Sequence, residues 1–473
     1  MVVDDYRLAV TWEQCLANSG YKMLAIDDLR REHVADMLLE PKLTSSPEVR
    51  HHKKESVLLT GPRYLLLDPA YSVQVKHQKD DCFVVLMSLG GGGDLQFLHD
   101  CMQYLIEEVS DTMEKSGFVK LILKPVLGPM GLNTDSIRQL ALCYPNIIFP
   151  LEKPENIASH YQQANLFVGA AGTSIYEAAA SKVPAITFSL AENQCNNVYD
   201  LEQLGHYLHI NQMPADSAVS LALLIAAVIK QHSRLESLRS NAEIVLDGKG
   251  TSRVAHLINE HFAGNRKNSS EKASHCAQYF KKPGRPEQMK RGNELSFRPC
   301  EDTDVNRYLH ARNLPANRCN MTTDVPIHPL DHYRWWFLTK RQSYAVVFNE
   351  KTVLYIWHEA MRSEFCNFLV GGWFTTSENI DPMCVVNALD WQLKTTDEIY
   401  QGIPWVAIIK KTNRFVYKLN QRAGFKNAAP GSSYHKAISD YFGGASPEVF
   451  HYVYRDTQSV ELGNGQKLSK QEI

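Results

Sequence analysis

The 473-residue sequence predicts an α/β fold, in which a doubly wound parallel sheet is followed by a separate α+β domain. Apolar strand runs alternate with helical patterns up to about residue 263, which is typical of parallel strands joined by crossover helices. A polar, turn-rich segment at 264–295 interrupts this pattern, and aromatic-rich strands follow. The predicted segments are 1–80, 81–263, 264–295, 296–458 and 459–473.

The first segment reads as a partial domain. A strand at 1–6, a helix at about 11–18 and a strand at 22–26 are predicted in turn. Only about 80 residues precede the next strand–helix repeat, fewer than a complete domain of this kind contains. Residues 1–80 are therefore predicted to be an incomplete N-terminal half.

Residues 81–263 carry the repeat itself. The apolar run at 165–168, for example, predicts a buried strand that a turn of small residues connects to a helix. Strands are predicted at 83–87, 119–123, 146–149, 165–168 and 184–188, and helices at about 95–115, 157–164, 174–180, 215–230 and 250–262.

The later segments differ in character. Between residues 265 and 291, Lys and Arg outnumber Asp and Glu by eight to two, so 264–295 is predicted to be a flexible basic linker, with anion binding as the alternative. Strands at 344–348 and 353–357 belong to the α+β domain at 296–458. The last residues, 459–473, are a polar tail.

Composition excludes several classes of function. The net charge of −2 predicts no attraction to nucleic acid or to membrane surfaces. The ten cysteines are scattered without a Cys-x-x-Cys pair, so neither a metal site nor a disulfide framework is expected, and a cytoplasmic location follows. No secretory signal or apolar run of membrane-spanning length is seen, so no membrane insertion is expected.

The turn after the strand at 165–168 predicts an anion site. Gly172, Thr173 and Ser174 begin a helix directly after that strand, where backbone N–H groups and the helix dipole attract negative charge. Glu177 lies one turn into the helix, where a carboxylate can accept hydrogen bonds from a ribose diol. The alternative is that the small residues serve close helix–strand packing.

A second glycine run, 90–94, lies between a strand and a helix. Amides around Gly91 and Gly92 can approach a phosphate closely because glycine has no side chain. A flexible turn without a ligand is the alternative.

These turns resemble the nucleotide half of two-domain nucleotide-sugar enzymes of the GT-B type. The sequence is more closely similar to the UDP-sugar hydrolase family of pseudaminic acid biosynthesis and its spore-coat polysaccharide relatives. Further matching segments cover residues 1 to about 263 in the family's order: Val3-Asp-Asp-Tyr6 with Trp12-Glu13, Ile26-Asp-Asp-Leu29 with His33 and 36–39, 60–69, and Ala191-Glu-Asn-Gln194.

The resemblance implies hydrolysis of UDP-2,4-diacetamido-2,4,6-trideoxy-β-L-altropyranose, without a cofactor, by attack of water on the sugar C1. It implies that Tyr6 and Asn193 are catalytic and face the sugar. The implied UDP-binding residues are Gly91, Gly92, Gly172, Thr173, Ser174, Glu177 and Gln194. The implied partner is thus a small-molecule UDP-sugar.

The family's members begin with a Gly-x-Gly-His-x-x-Arg loop whose histidine is catalytic, and this sequence starts at a later strand. Three explanations are open: a separate polypeptide supplies that segment, the start is truncated, or the domain has lost catalysis. His33, His99 and His160 lie in no comparable loop and are expected to be structural or surface residues.

The segment 296–458 resembles a GNAT-type N-acetyltransferase, through Phe297-Arg-Pro299, 312–313, 332–337 and 413–425. The resemblance implies acetyl-CoA as cofactor and His332 and Asn413 as site residues. The Arg/Gln-x-x-Gly-x-Gly/Ala loop for the acetyl-CoA pyrophosphate is not found after residues 367–372, so a GNAT-like domain without this chemistry is an alternative. For the whole chain, the rival functions are a UDP-sugar-dependent glycosyltransferase, a non-catalytic nucleotide-sugar binding protein and an N-acetyltransferase.

Overall fold

The computed structural model describes residues 1–29, 31–43, 56–73, 81–109, 120–262, 295–443 and 445–457. The chain divides into two compact units, 1–287 with 329–337, and 288–328 with 338–473. The linker predicted at 264–295 lies outside the described residues except for residue 295, and the tail predicted at 459–473 lies wholly outside them.

The first unit begins with a parallel sheet of four short strands. Their order is the order of the chain: β1 (Val2–Val3), β2 (Leu24–Ile26), β3 (Met37–Glu40) and β4 (Val57–Thr60). Helix α1 (Val10–Asn18) connects β1 to β2. The buried side chains of Met37, Leu39 and Leu59 pack with Val254 of a helix near the end of the unit, so residues far apart in sequence complete this half.

The second sheet of the first unit is parallel throughout and has the order β12-β11-β10-β5-β7-β9. All five residues of β10 are buried, which explains why its sequence is a continuous apolar run. The strands are β5 (Cys82–Ser88), β7 (Lys120–Leu127), β9 (Leu151–Glu152), β10 (Leu166–Ala170), β11 (Ala185–Phe188) and β12 (Leu208–Ile210); a separate parallel pair is β6 (Gly92–Asp94) with β8 (Met130–Leu132).

Helices cover this sheet as expected for crossover connections. They are α2 (Gln96–Val109), α3 (Thr134–Cys143), α4 (Ile157–Gln163), α5 (Ser174–Ala180), α6 (Val198–Glu202), α7 (Ala218–Lys230), α8 (His232–Ser240) and α9 (Gly250–Phe262). Within the described residues no single helix is long and apolar enough to cross a membrane; α7 and α8 meet that length and composition only as a pair bent by 83°.

The prediction of a strand at 146–149 is wrong. The amides of Ile147 and Ile148 both donate to the carbonyl oxygen of Tyr144, so this segment is a turn that ends α3. Only Ile148 bridges to the sheet, opposite Leu123, and the strand β9 begins later. Of the apolar side chains in this segment, Ile148 is buried at 2% exposure, whereas Phe149 is 40% exposed.

The second unit is built on a mixed sheet of seven strands, in the order β13-β14-β15-β16-β17-β19-β18. Most neighbours are antiparallel, but β16 and β17 are parallel and pair only at Leu369 and Trp405. The strands are β13 (Ser296–Pro299), β14 (Gln342–Phe348), β15 (Lys351–Arg362), β16 (Asn367–Thr375), β17 (Trp405–Lys410), β18 (Lys426–Asn427) and β19 (Phe450–Arg455).

Helices α10 (Val305–Asn313), α11 (Pro315–Arg318), α13 (Pro382–Ile399), α14 (Arg414–Arg422) and α15 (Ser433–Tyr441) complete this unit. Helix α12 (Pro329–Leu338) follows α11 in the chain, but its residues 329–337 pack with the first unit, where the Tyr333 hydroxyl donates to the carbonyl oxygen of His209 at 3.2 Å. The predicted fold class, a Rossmann-type parallel α/β unit followed by an α+β domain, is confirmed.

Candidate active site

A cavity of about 640 Å³ opens at the carboxyl ends of β5 and β10 in the first unit. This edge is where ligands bind in open parallel sheets, because loops and helix N-termini converge there. All seven residues predicted to bind UDP line it: Gly91, Gly92, Gly172, Thr173, Ser174, Glu177 and Gln194.

The glycine turn on one wall has a conformation that needs glycine. Gly90 and Gly93 have φ angles of +81° and +111°, in the region that other residues rarely adopt. The carbonyl oxygen of Gly91 accepts a hydrogen bond from the Met130 amide at 2.9 Å, as part of the ladder between β6 and β8. The turn is therefore held by the protein itself.

The opposite wall is the start of α5. No side chain caps this helix N-terminus. The amides of Ile175 and Tyr176 donate to the carbonyl oxygens of Gly172 and Thr173, so only the amides before them, those of Thr173 and Ser174, are placed to meet a ligand. A Cβ atom at Gly172 would have only the Gln194 Nε2 atom nearby, at 3.9 Å, whereas one at Gly169 would lie 1.9 Å from the Ser88 carbonyl oxygen. Gly169 therefore serves close packing, whereas Gly172 borders open space; the anion site at Gly172 stays a prediction.

Glu177 contributes the carboxylate of the cavity. It interacts with the hydroxyl groups of Tyr161 and Tyr71, two tyrosines that are 1% and 2% exposed. Burial raises the pKa of Glu177, and the nearby hydroxyl groups of the two tyrosines oppose that rise. No Lys, Arg or His is among the described residues that line the cavity, so an anion there would depend on backbone amides and hydroxyl groups.

Tyr6 and Asn193 lie near each other in the same unit. Asn193 directly precedes Gln194 in the chain, but neither Tyr6 nor Asn193 is among the residues that line the cavity. The Tyr6 hydroxyl donates to Asp28 Oδ1 at 2.6 Å, and the side chain of Asn193 lies beside the same hydroxyl and acts to lower its pKa. Burial and the bond to Asp28 raise the pKa of Tyr6 to about 12. The Lys42 ammonium donates to the carbonyl oxygen of Asn193 at 3.0 Å, which ties the two sheets together here.

A buried ionic cluster lies behind Tyr6. His33 Nδ1 is 2.7 Å from Glu13 Oε1, and His33 Nε2 is 3.6 Å from Asp27 Oδ2. Although burial opposes protonation, these two carboxylates raise the pKa of His33 to about 9. Arg31 Nε donates to Asp27 Oδ1 at 2.8 Å, and Arg31 Nη1 donates to the carbonyl oxygen of Tyr6 at 2.9 Å.

Glu13, Asp27 and His33 belong to segments that carry the family resemblance, but their sequence positions do not indicate that they meet. The burial of His33, at 4% exposure, fits the structural role that the sequence predicts for it as one of two alternatives. The available signal was the recurrence of acidic residues directly after β1 and β2, since the carboxyl ends of neighbouring parallel strands share one edge of the sheet.

The two acetyltransferase-like residues have structural partners. Asn413 is the N-cap of α14: its side chain accepts from the Val416 amide at 3.2 Å and donates to Asn320 Oδ1 at 2.9 Å. His332 is 2% exposed, with ring centroids 5.6 Å from Trp335 and 5.7 Å from Trp336. Their roles in catalysis stay predictions. Within the described residues, no three His, Cys, Asp or Glu side chains are grouped as metal ligands.

The fold and this site define an α/β protein with a cavity at the carboxyl edge of a parallel sheet. Its sequence is similar to that of a polysaccharide biosynthesis protein. The chain is 24% identical over 202 residues to the spore coat polysaccharide biosynthesis protein SpsG of Bacillus subtilis, a match that covers 42% of this chain and 57% of that protein. The chain therefore spans little more than half the length of this curated relative. No family model matches the sequence.

Among solved structures, a GCN5-related N-acetyltransferase from Kribbella flavida is 14% identical, with a TM-score of 0.27, and covers 34% of this chain and 97% of its own. An N-acetyltransferase from Staphylococcus aureus is 15% identical, with a TM-score of 0.26 and the same coverage. An aminoglycoside acetyltransferase in complex with coenzyme A is 8% identical, with a TM-score of 0.27, and covers 34% of this chain and 95% of its own.

Proposed function

We infer that the first unit binds a UDP-sugar and hydrolyses it, releasing UDP from a diacetamido-trideoxyhexose in nonulosonic acid or surface polysaccharide biosynthesis. The observation that carries this proposal is the cavity that unites two glycine turns, the uncapped start of α5 and the Glu177 carboxylate. The similarity to a spore coat polysaccharide protein supports the biosynthetic setting.

The cavity fits a nucleoside diphosphate in size and chemistry. A volume of about 640 Å³ lies within the range of about 300–1,000 Å³ that is usual for small-molecule sites. Backbone amides near Gly91, Gly92, Gly172 and Thr173 would hold the diphosphate, and Ser174 would add a hydroxyl group. Glu177 would accept hydrogen bonds from the ribose diol, and Gln194 would contact the nucleotide.

The proposed hydrolysis depends on stabilising the negative charge that develops on the leaving UDP. When water attacks C1 of the sugar, the electron pair of the breaking C1–O bond leaves with UDP, so negative charge grows on the diphosphate. Amides that are already in place stabilise this charge without reorganising. Tyr6 would hold the sugar together with Asn193, which directly precedes Gln194 in the chain.

The test is UDP release from the UDP-2,4-diacetamido-trideoxyhexose with no acceptor present, measured beside UDP binding by calorimetry. Release well above the spontaneous rate supports the hydrolase. Release only when an acceptor sugar is added supports the glycosyltransferase instead. UDP binding with no release under either condition supports a non-catalytic binding protein.

A second candidate concerns the second unit, which would transfer an acetyl group from acetyl-CoA. One feature of the mixed sheet favours it. The parallel strands β16 and β17 pair only at Leu369 and Trp405. Beyond that pair the two strands do not hydrogen-bond each other, so backbone groups there could bind part of a cofactor. Against it, the N-terminus of α13 is capped by Asp381, whose carboxylate accepts from the Met383 amide at 2.9 Å and would repel a pyrophosphate there. Release of free CoA from acetyl-CoA in the presence of amino sugars tests this candidate.

A further inference from the structure

We propose that Asp28 is the proton acceptor for water attack in the first unit, and that it acts through the hydroxyl group of Tyr6. This inference rests on the proposed hydrolase function and supplies the base that the reaction needs. It assigns to Asp28 a role that neither the sequence comparison nor the family resemblance gives it.

The geometry selects the Tyr6–Asp28 pair. The Tyr6 hydroxyl donates to Asp28 Oδ1 at 2.6 Å, a short bond of the kind that ionised acceptors make. The Asn193 side chain meets the same hydroxyl from the second sheet of the unit. Tyr6 is 50% exposed, so water and substrate can reach its oxygen.

The neighbouring carboxylates are committed elsewhere. Asp27 is 2% exposed and accepts hydrogen bonds from the backbone amides of Leu29 and Arg31 and from the Arg31 guanidinium. Despite burial, the nearby His33 ring and the hydrogen bonds from Arg31 lower the pKa of Asp27 to about 2, so it stays ionised as a structural anion. Glu13 is 1% exposed and bound to His33 and to the Val34 amide.

The structural cluster also fixes where Tyr6 lies. The Arg31 guanidinium donates to the carbonyl oxygens of Tyr6 and Leu8 at 2.9 and 3.1 Å, and it lies 5.6 Å from the Tyr6 ring centroid. The loop after β1 is thereby bound to the loop after β2, which carries Asp28. These charged groups therefore hold Tyr6 and Asp28 in position without taking part in the reaction.

In the proposed step, the water oxygen forms a bond to C1 while the bond from C1 to the diphosphate oxygen breaks. The electron pair of the broken bond leaves with UDP. The water proton passes to the Tyr6 oxygen as the Tyr6 proton moves to Asp28. The products are the free sugar and UDP, and Asp28 later returns the proton to solvent.

The experiment compares Asp28→Asn, Tyr6→Phe and the double variant for kcat of UDP release, with UDP affinity measured in parallel. We expect Asp28→Asn to lower kcat by about 100-fold or more, the usual contribution of a positioned base, with UDP affinity retained. The double variant should be no slower than the slower single variant, because both residues serve one relay. Asp28→Glu should restore part of the activity.

Asp4→Asn is the matched control, since it removes an exposed carboxylate two residues before Tyr6 and should keep wild-type kcat. Undiminished release by Asp28→Asn, or effects of Asp28→Asn and Tyr6→Phe that multiply, overturn this inference while leaving the hydrolase proposal intact. No release by the unaltered chain, with UDP still bound, overturns both.

Discussion

The side chain of Asn193 lies beside the hydroxyl group of Tyr6 and acts to lower the pKa of that hydroxyl, so the loop after the first strand approaches a short 3-10 turn in the second sheet's half of the unit. The two residues that the resemblance implies to be catalytic are therefore neighbours. The Lys42 ammonium supports the same turn through the carbonyl oxygens of Asn193 and Cys195. Contact between the halves is therefore made at the proposed reaction centre.

Asn193→Ala is expected to lower kcat for UDP release by about tenfold to 100-fold and to leave UDP affinity nearly unchanged. The amide would contact the sugar rather than the nucleotide, and a polar group left without its partner in such a site costs about 1–3 kcal/mol. Steady-state kinetics with calorimetry for UDP checks this. The control is Asn241→Ala at an exposed position, and an equal loss in both variants would contradict a specific role.

Glu177→Gln is expected to weaken UDP binding by about tenfold, because a neutral amide is a poorer acceptor for the ribose hydroxyls than a carboxylate. The same variant should lose discrimination between UDP and 2′-deoxy-UDP, whereas the unaltered chain prefers UDP. Calorimetry with both nucleotides measures this, and unchanged discrimination would remove Glu177 from the ribose site.

The pH dependence of UDP binding should also depend on Glu177. Burial raises the pKa of this carboxyl group, so UDP affinity should fall as the pH drops through that raised pKa and the carboxylate takes up a proton. The UDP phosphate titrates near pH 6 in its own right, and Glu177→Gln provides the control because it keeps that contribution alone. Identical pH profiles for the two proteins would refute the assignment.

A pair of glycine substitutions separates fold from site. Gly169→Ala should destabilise the first unit severely, since its Cβ would lie 1.9 Å from the Ser88 carbonyl oxygen in the central pair of strands. Gly172→Ala should leave the unfolding transition in place but reduce UDP affinity, because its methyl group enters the cavity beside Gln194. Thermal unfolding and calorimetry on both variants check this, and normal UDP affinity in Gly172→Ala would contradict the proposed anion site.

His33→Gln should lower the free energy of unfolding of the first unit by about 3 kcal/mol near neutral pH, because it leaves Glu13 and Asp27 buried without their cation. His33 has a pKa near 9 in the folded chain against an ordinary value of 6.5. A raised pKa means that the protonated ring stabilises the fold fully below about pH 6.5, and that this stabilisation is lost as the pH rises through about 9.

Urea unfolding at pH 6 and pH 9.5 measures that difference, and His33→Gln should flatten it. His256→Gln is the control, since the His256–Glu260 pair is exposed and such pairs contribute about 0.5 kcal/mol or less. Equal pH dependence in the unaltered chain and in His33→Gln would show that the cluster does not govern stability in this range.

Local patterns predicted strands such as 83–87 and 165–168 because these are apolar runs with a turn signal at the end, whereas a short strand such as β6 (Gly92–Asp94) has no such pattern. The order along the chain predicted parallel pairing, and the turns at Gly91 and Gly172 meet because strand ends converge. The prediction at 146–149 failed because an apolar run also occurs in a turn that contacts the sheet at one residue, Ile148. Asp28, His33 and Glu13 were beyond sequence reasoning, since their partners depend on side-chain contacts between loops. Helix α12 likewise packs with the first unit through contacts that periodicity does not encode.

The ladder between β6 and β8 has a consequence for the energetics of recognition. Because the Met130 amide and the Gly91 carbonyl already hold the glycine turn, the turn loses its conformational entropy when the chain folds. A glycine loop that was free before binding would lose that entropy on meeting its ligand, at a cost of about 1–2 kcal/mol per residue. Association at this cavity should accordingly carry a small ordering penalty, and its heat should reflect the contacts themselves.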